Sequence, residues 1–176
     1  LQYLQYRNIS YMIMRAKTAH MLAFAAHQLN IPCKLEAILT SGTAVGPEDR
    51  EACQEFLGAK LVALYSSKEA HKMDYQCPTG NHFHMMSETS LLEVLNDNNE
   101  PCKPGEIGRV IVTPFFNFAQ PLIRYEHDDL AEVGEPCMCG RTLPVLNRIV
   151  GRATHMFRFP NGMKISPLIP NVYRKA

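Results

Sequence analysis

From Tyr11 to Leu29 the apolar residues Met14, Ala19, Leu22, Ala23, Ala26 and Leu29 recur at the steps of one helical face, and Asn30-Ile31-Pro32 interrupts them. The spacing predicts a helix over 11–29. Leu35 to Leu39 then predicts a short strand. Pro47 opens a second helix, with Glu48 and Asp49 in the first turn where carboxylates suit the positive end of the dipole, and Gly58 closes it. Lys60 to Leu64 predicts another strand. The order helix, strand, helix, strand favours a parallel βαβ crossover in an α/β layer. Beyond Tyr65 the helical period is lost. Short apolar stretches follow at His82–Met86, Leu91–Leu95, Gly108–Thr113, Pro121–Tyr125, Leu130–Val133, Arg148–Gly151 and Met156–Phe159, separated by turn-rich pieces such as Asn96-Asp97-Asn98-Asn99 and Lys103-Pro104-Gly105. The fold class expected is therefore α/β, a βαβ layer followed by a β-rich layer that is an antiparallel sheet or a barrel.

Composition bounds the rest. The chain has 176 residues, 46% hydrophobic and 20% charged, an ordinary globular balance for one domain, or one domain and a piece of another. A formal net charge of +1 gives no electrostatic case for a nucleic-acid or membrane partner. No apolar run approaches the roughly 20 residues that span a bilayer, and residues 1–15 lack the pattern of a signal peptide. A cytoplasmic setting is expected, where thiols stay reduced and the six cysteines serve as ligands or buried apolar residues. Both ends are abrupt, and Ile169 to Ala176 carries no closing element, as expected of a piece of something longer.

Cys33, Cys53 and Cys102 stand alone and read as packing residues. Cys137 and Cys139 are one residue apart in Cys137-Met138-Cys139-Gly140-Arg141, and a tight turn there would put both sulfurs on one side of a tetrahedral metal. Cys77-Pro78-Thr79-Gly80-Asn81-His82-Phe83-His84 offers a thiolate and one or two imidazoles. His82 and His84 share a strand face, and the spacing does not choose between them. Cys77, His84, Cys137 and Cys139 would make a closed Cys3His zinc site, structural rather than catalytic. The plainer reading is four unconnected residues.

Three further segments suggest a nucleotide: Leu39-Thr40-Ser41-Gly42-Thr43 after one strand, Tyr65-Ser66-Ser67-Lys68-Glu69 after the next, and Pro121-Leu122-Ile123-Arg124-Tyr125-Glu126-His127-Asp128-Asp129-Leu130. Ligands of open α/β sheets sit beyond the carboxyl ends of the strands, where the first two segments fall. A small turn admits a planar base, a tyrosine stacks on it, a glutamate holds Mg2+ and an aspartate accepts from ribose hydroxyls. Singly, each reads equally well as an ordinary loop, a core tyrosine or a solvated acidic turn.

Together, in this order and with Gly105-Glu106-Ile107-Gly108, Cys137-Met138-Cys139-Gly140-Arg141 and Arg148-Ile149-Val150-Gly151-Arg152, they resemble the middle of the phenylacetate-coenzyme A ligase and CapK-like branch of the adenylate-forming enzymes, over residues 35–167. The resemblance implies activation of a carboxylic acid, aromatic in some members, with Mg-ATP to an acyl-adenylate, and then transfer to coenzyme A. It implies that Tyr65 stacks on adenine, Ser41, Gly42 and Thr43 line the base, Glu69 ligates Mg2+, Asp129 holds the ribose hydroxyls and Arg152 contacts ribose and phosphate; Lys68, where the family has a hydroxyl, would either bind phosphate as a point charge or mark a degenerate site. Members of this branch often carry Cys-x-Cys-Gly-Arg with an upstream Cys and His, which favours the zinc set. The partners implied are a small carboxylic acid and a nucleotide, with no nucleic acid or membrane; a homodimer is left open.

The departures are specific. The family's Tyr-Gly-x-Ser/Thr-Glu is Tyr65-Ser66-Ser67-Lys68-Glu69 here, with an ammonium in place of a phosphate-facing hydroxyl. The usual Tyr-x-Thr-Gly-Asp is Tyr125-Glu126-His127-Asp128-Asp129, so that Asp128 stands at a family glycine and reads as dispensable. The acidic hinge is Ala153-Thr154-His155. The phosphate loop and the lysine of the small domain fall outside the segment, and the chain alone is expected not to form an acyl-adenylate. The domain reading is 1–65 as the α/β part of the large domain, 66–151 as its β-rich part with the zinc site, and 152–176 as hinge and start of the small domain. The alternative is a zinc-stabilised, non-catalytic module or a degenerate remnant of that fold.

Overall fold

A computed structural model describes residues 1–160 and 164–165, in two compact units, Leu1–Pro78 and Thr79–Ala176. The segment read from sequence as the start of a small domain lies in large part outside the described residues.

The first unit holds α1 (Gln2–Tyr6), β1 (Tyr11–Met14), α2 (Ala16–Gln28), β2 (Ala37–Ser41), α3 (Pro47–Leu57), β3 (Lys60–Ser67) and β4 (His71–Gln76). Strands β1, β2 and β3 are parallel neighbours and β4 returns antiparallel to β3. The helix expected over 11–29 is corrected at its start. Tyr11 to Met14 pair with Ala37 to Thr40 as a strand, and the helix begins only after Arg15, whose φ of −72° and ψ of 147° are extended. Met14 suits either period, which hid the boundary. The buried stripe of α2 is Ala16, Ala19, Ala23 and Ala26, four small side chains that allow α3 to approach closely.

Helix α3 follows its sequence signals. The Asp49 carboxylate accepts from the Gly46 amide at 3.0 Å, satisfying an otherwise orphaned donor, and Gly58 ends the helix with φ +64°. Asp49 is completely buried, and Lys17 donates to it from α2 at 2.9 Å, which holds the lysine's pKa up. Leu35, Ile38, Cys53, Leu57 and Leu61 fill the core beneath these helices. Arg50 reaches the Leu61 carbonyl at 2.7 Å and the Gln76 side chain at 3.1 Å, tying α3 to β3 and β4.

The second unit is built from β5 (Phe83–Met85), β6 (Ser90–Leu95), β7 (Ile107–Pro114), β8 (Tyr125–Val133) and β9 (Val145–Arg152), with a separate pair of β10 (Phe157–Arg158) and β11 (Lys164–Ile165). The order β5-β9-β8-β7-β6 is antiparallel throughout, an open sheet rather than a barrel. Val110, Val112, Ala131 and Leu146 are completely buried on it. The strand expected at Pro121–Tyr125 is found only from Tyr125 on, and it runs unbroken into the one expected at Leu130–Val133. Arg109 pairs with Leu130 and Ile111 with Glu126, so residues 127–129 stand opposite Val110 alone. This bulge, with Asp128 at φ +65°, is how an apparent acidic turn becomes the middle of a strand. Among the described residues no helix is long and apolar enough to cross a membrane.

Candidate functional site

In the first unit, Ser41 ends β2 opposite Leu64 of β3, which brings Ser41, Gly42 and Thr43 to the strand end next to Tyr65. This is the carboxyl edge of a parallel pair, where ligands of α/β sheets lie. Tyr65 is half-buried, and the register slips between Tyr65 and Ser66, so the chain leaves the regular ladder there. Lys68 and Glu69 lie exposed on the turn between β3 and β4, which is pinned by the Ala70 amide donating to Ser67 Oγ at 3.0 Å.

In the second unit, Asp129 and Arg152 are direct cross-strand partners on β8 and β9, with Arg152 Nε 3.8 Å from Asp129 Oδ1. Asp129 is 8% exposed and Arg152 keeps most of its side chain in solvent, so the pair presents a buried carboxylate beside a solvent-facing guanidinium. His127, two residues away on the same strand and buried, places Nδ1 2.7 Å from Asp129 Oδ2. Sequence reasoning passed over His127. Its signal was the i, i+2 spacing from the aspartate, hidden because the segment read as a turn. Asp128 is not idle either, since it accepts from the Thr154 amide at 3.2 Å and its hydroxyl at 2.6 Å.

The cysteine cluster is the most compact constellation. His84, Cys137 and Cys139, all in the second unit, hold their donor atoms within 4.8 Å of one another. Cys139 Sγ lies 3.4 Å from His84 Nε2. A tetrahedral zinc with bonds of roughly 2.0–2.3 Å would space sulfur and nitrogen by about 3.6 Å, so the donor types suit that ion and the Cys139–His84 pair has close to the spacing it needs. Gly140 at φ +86° turns the chain after the Cys-x-Cys pair. Of the two histidines left open by the spacing, His84 is buried within the cluster, and His82 stands beside it with Nε2 3.0 Å from Cys137 Sγ. A cavity of about 530 Å³ lies over Cys137 and Cys139, lined also by Thr79, His82, Glu135 and Asn147.

No family model matches the chain. Over 112 residues, 61% of its length, it is 31% identical to the phenylacetate-coenzyme A ligase of Thermus thermophilus, and it spans 25% of that relative. Among solved structures it is similar to 2-hydroxyisobutyryl-CoA ligase in an open conformation with 2-HIB-AMP and CoA, at a TM-score of 0.81 and 24% identity over 94% of this chain and 41% of that one. It is also similar to the anthranilate CoA ligase in complex with anthranoyl-AMP, at a TM-score of 0.65 and 16% identity over 90% and 32% of the two chains. These structures share the α/β and β-rich arrangement described above. The chain is thus similar in sequence to phenylacetate-coenzyme A ligase over 61% of its length, and it shares its fold with these CoA ligases.

Proposed function

We propose that the chain is the nucleotide-holding part of an AMP-forming ligase that activates a small carboxylic acid, aromatic by analogy with phenylacetate, and passes it to coenzyme A. The observation that carries this reading is the cross-strand pair of Asp129 and Arg152, with the carboxylate already oriented by His127 at 2.7 Å. In this reading Asp129 accepts from both ribose hydroxyls, and Arg152 swings to ribose and phosphate. Tyr65 covers the adenine face, and Ser41, Gly42 and Thr43 line its edge. Lys68 meets phosphate as a point charge, and Glu69 supplies the carboxylate for Mg2+. The relatives' names supply the reaction class, and the chain spans 25% of the Thermus thermophilus ligase and 41% of the 2-hydroxyisobutyryl-CoA ligase. A cytoplasmic setting fits the reduced cysteines this requires.

Zinc belongs to the same proposal as a structural ion held by Cys77, His84, Cys137 and Cys139. Four protein donors leave no open coordination position, so its contribution is to hold the cluster together. The second reading, a zinc-stabilised module that binds no nucleotide, is favoured by the cavity's lying at this cluster.

Ligand-observed NMR with AMP separates the two. An ionised acceptor contributes roughly 1.5–3 kcal/mol to a hydrogen bond, so Asp129→Ala should weaken AMP binding about tenfold or more. A folded chain with no AMP signal, or one whose signal is indifferent to Asp129→Ala, would favour the module.

A further inference from the structure

His82 lies outside the four-donor cluster yet touches it. Its Nε2 is 3.0 Å from Cys137 Sγ, and its ring meets that of His84 edge-on with centroids 5.4 Å apart. A thiolate bound to a metal has no proton to give, so the proton of this contact must sit on His82 Nε2. We propose that His82 is a hydrogen-bond donor to the metal-bound Cys137 thiolate and not itself a ligand, seated for that role against the bare α-carbon of Gly80. The inference rests on the zinc reading above.

Two further observations support it. A Cβ on Gly80 would stand 2.7 Å from His82 Nδ1 and 2.8 Å from Cε1, too close for either to remain. The backbone of Gly80 is not in the left-handed region, so what excludes a side chain there is the imidazole ring and not the main chain. The second observation is the supply of N–H groups to the sulfurs. Cys137 Sγ also lies 3.4 Å from the Cys139 amide, and Cys139 Sγ lies 3.7 Å from an Arg141 nitrogen. Three thiolates and a neutral imidazole around a dication leave one net negative charge, spread over the sulfurs. N–H donors aimed at those sulfurs stabilise the thiolate form, as outer-shell partners of metal ligands do. Cys137 and Cys139 both border the cavity, and His82 lines it within reach of the Cys137 sulfur.

The test compares zinc release to a chelator and the absorption of the cobalt(II)-substituted chain for the wild type, His82→Ala, His82→Gln, Gly80→Ala and His84→Ala. His82→Ala should still take up about one equivalent of metal and keep the tetrahedral cobalt bands, because all four ligands remain. It should release zinc about 10–100-fold faster and shift the sulfur-to-cobalt charge-transfer band. Gly80→Ala, which displaces the ring and leaves His82 in the sequence, should behave like His82→Ala. His82→Gln, whose amide can donate, should recover part of the loss. His84→Ala should lose the four-coordinate signature. Wild-type release rates in both His82→Ala and Gly80→Ala would overturn the proposal and leave the zinc reading standing. Loss of the cobalt bands in His82→Ala but not in His84→Ala would overturn it by making His82 the ligand. A wild-type chain that binds no zinc would overturn both.

Discussion

Asp74 stands directly across from Tyr65 in the antiparallel pair of β3 and β4, with its carboxyl completely buried and neither oxygen bonded to a donor among the described residues. Burial raises its pKa well above the ordinary carboxylate value. In the unfolded chain the group titrates near 3.9, so from about pH 4 upward the folded state holds a proton that the unfolded state has released. Stability from this group is complete below about pH 4 and declines as pH rises toward the folded pKa. Asp74→Asn removes the ionisation. The variant should be more stable than wild type at pH 7, with a difference in urea midpoint that shrinks as the pH is lowered to 4. A difference that does not change with pH would show that Asp74 finds a partner when ionised.

The segment Gly105-Glu106-Ile107-Gly108 is explained by packing. A methyl on Gly108 would collide with the Leu95 carbonyl and the Cys102 sulfur. Neither can retreat easily, because Leu95 pairs with Arg109 in the β6–β7 ladder and the Cys102 amide is bonded to the Val94 carbonyl at 2.8 Å. Gly108→Ala should cost about 1–3 kcal/mol, the usual range for overpacking, read from chemical denaturation. AMP binding per folded molecule should be unchanged. A stability within error of wild type would mean that the β6–β7 edge yields.

Much of this was legible because it was periodic or compositional. The parallel strands β2 and β3 and the helix between them followed from spacing, Pro47 and Gly58, and the cysteine cluster followed from two short motifs. What escaped reading broke its own period. Met14 fits a strand or a helix, so β1 vanished into α2. His71 to Gln76 carries a buried Asp74 where a strand should show an apolar residue, so β4 was passed over. Asp128 takes a left-handed backbone without being glycine, which let the bulge at 127–129 pass for a solvated turn and concealed His127 behind it. Burial separates His84 from His82, and alternation along one strand cannot supply burial.

The zinc reading makes a prediction about thiols. Cys53 is completely buried and its thiol is pushed up to about 11 by desolvation, so it should resist a disulfide reagent at pH 8 with or without metal. In the zinc-loaded chain Cys77, Cys137 and Cys139 should resist as well, because metal-bound thiolates are withheld. Adding a strong chelator should release these three thiols to the reagent and lower the melting temperature, since structural zinc is coupled to folding. A thiol count and a melting temperature that ignore the chelator would count against the ion.

His127 gives the sharpest test of the nucleotide reading. Its Nδ1 is 2.7 Å from Asp129 Oδ2, and both side chains are buried on the bulged stretch of β8. The imidazole fixes which way the carboxylate faces, and so should act on the nucleotide only through Asp129. His127→Ala should therefore weaken AMP binding by about tenfold, near the low end of the roughly 1.5–3 kcal/mol that a hydrogen bond to a charged group contributes. His127→Asn, whose amide can still donate, should recover part of it. In the double variant with Asp129→Ala the His127 change should cost almost nothing more, because the group it positions is gone. Asp128 cannot serve as a neutral control, since its bonds to Thr154 link β8 to the residues just past Arg152. Additive losses in the double variant would mean that His127 meets the nucleotide itself. Wild-type affinity in His127→Ala would mean that Asp129 is held in place without it.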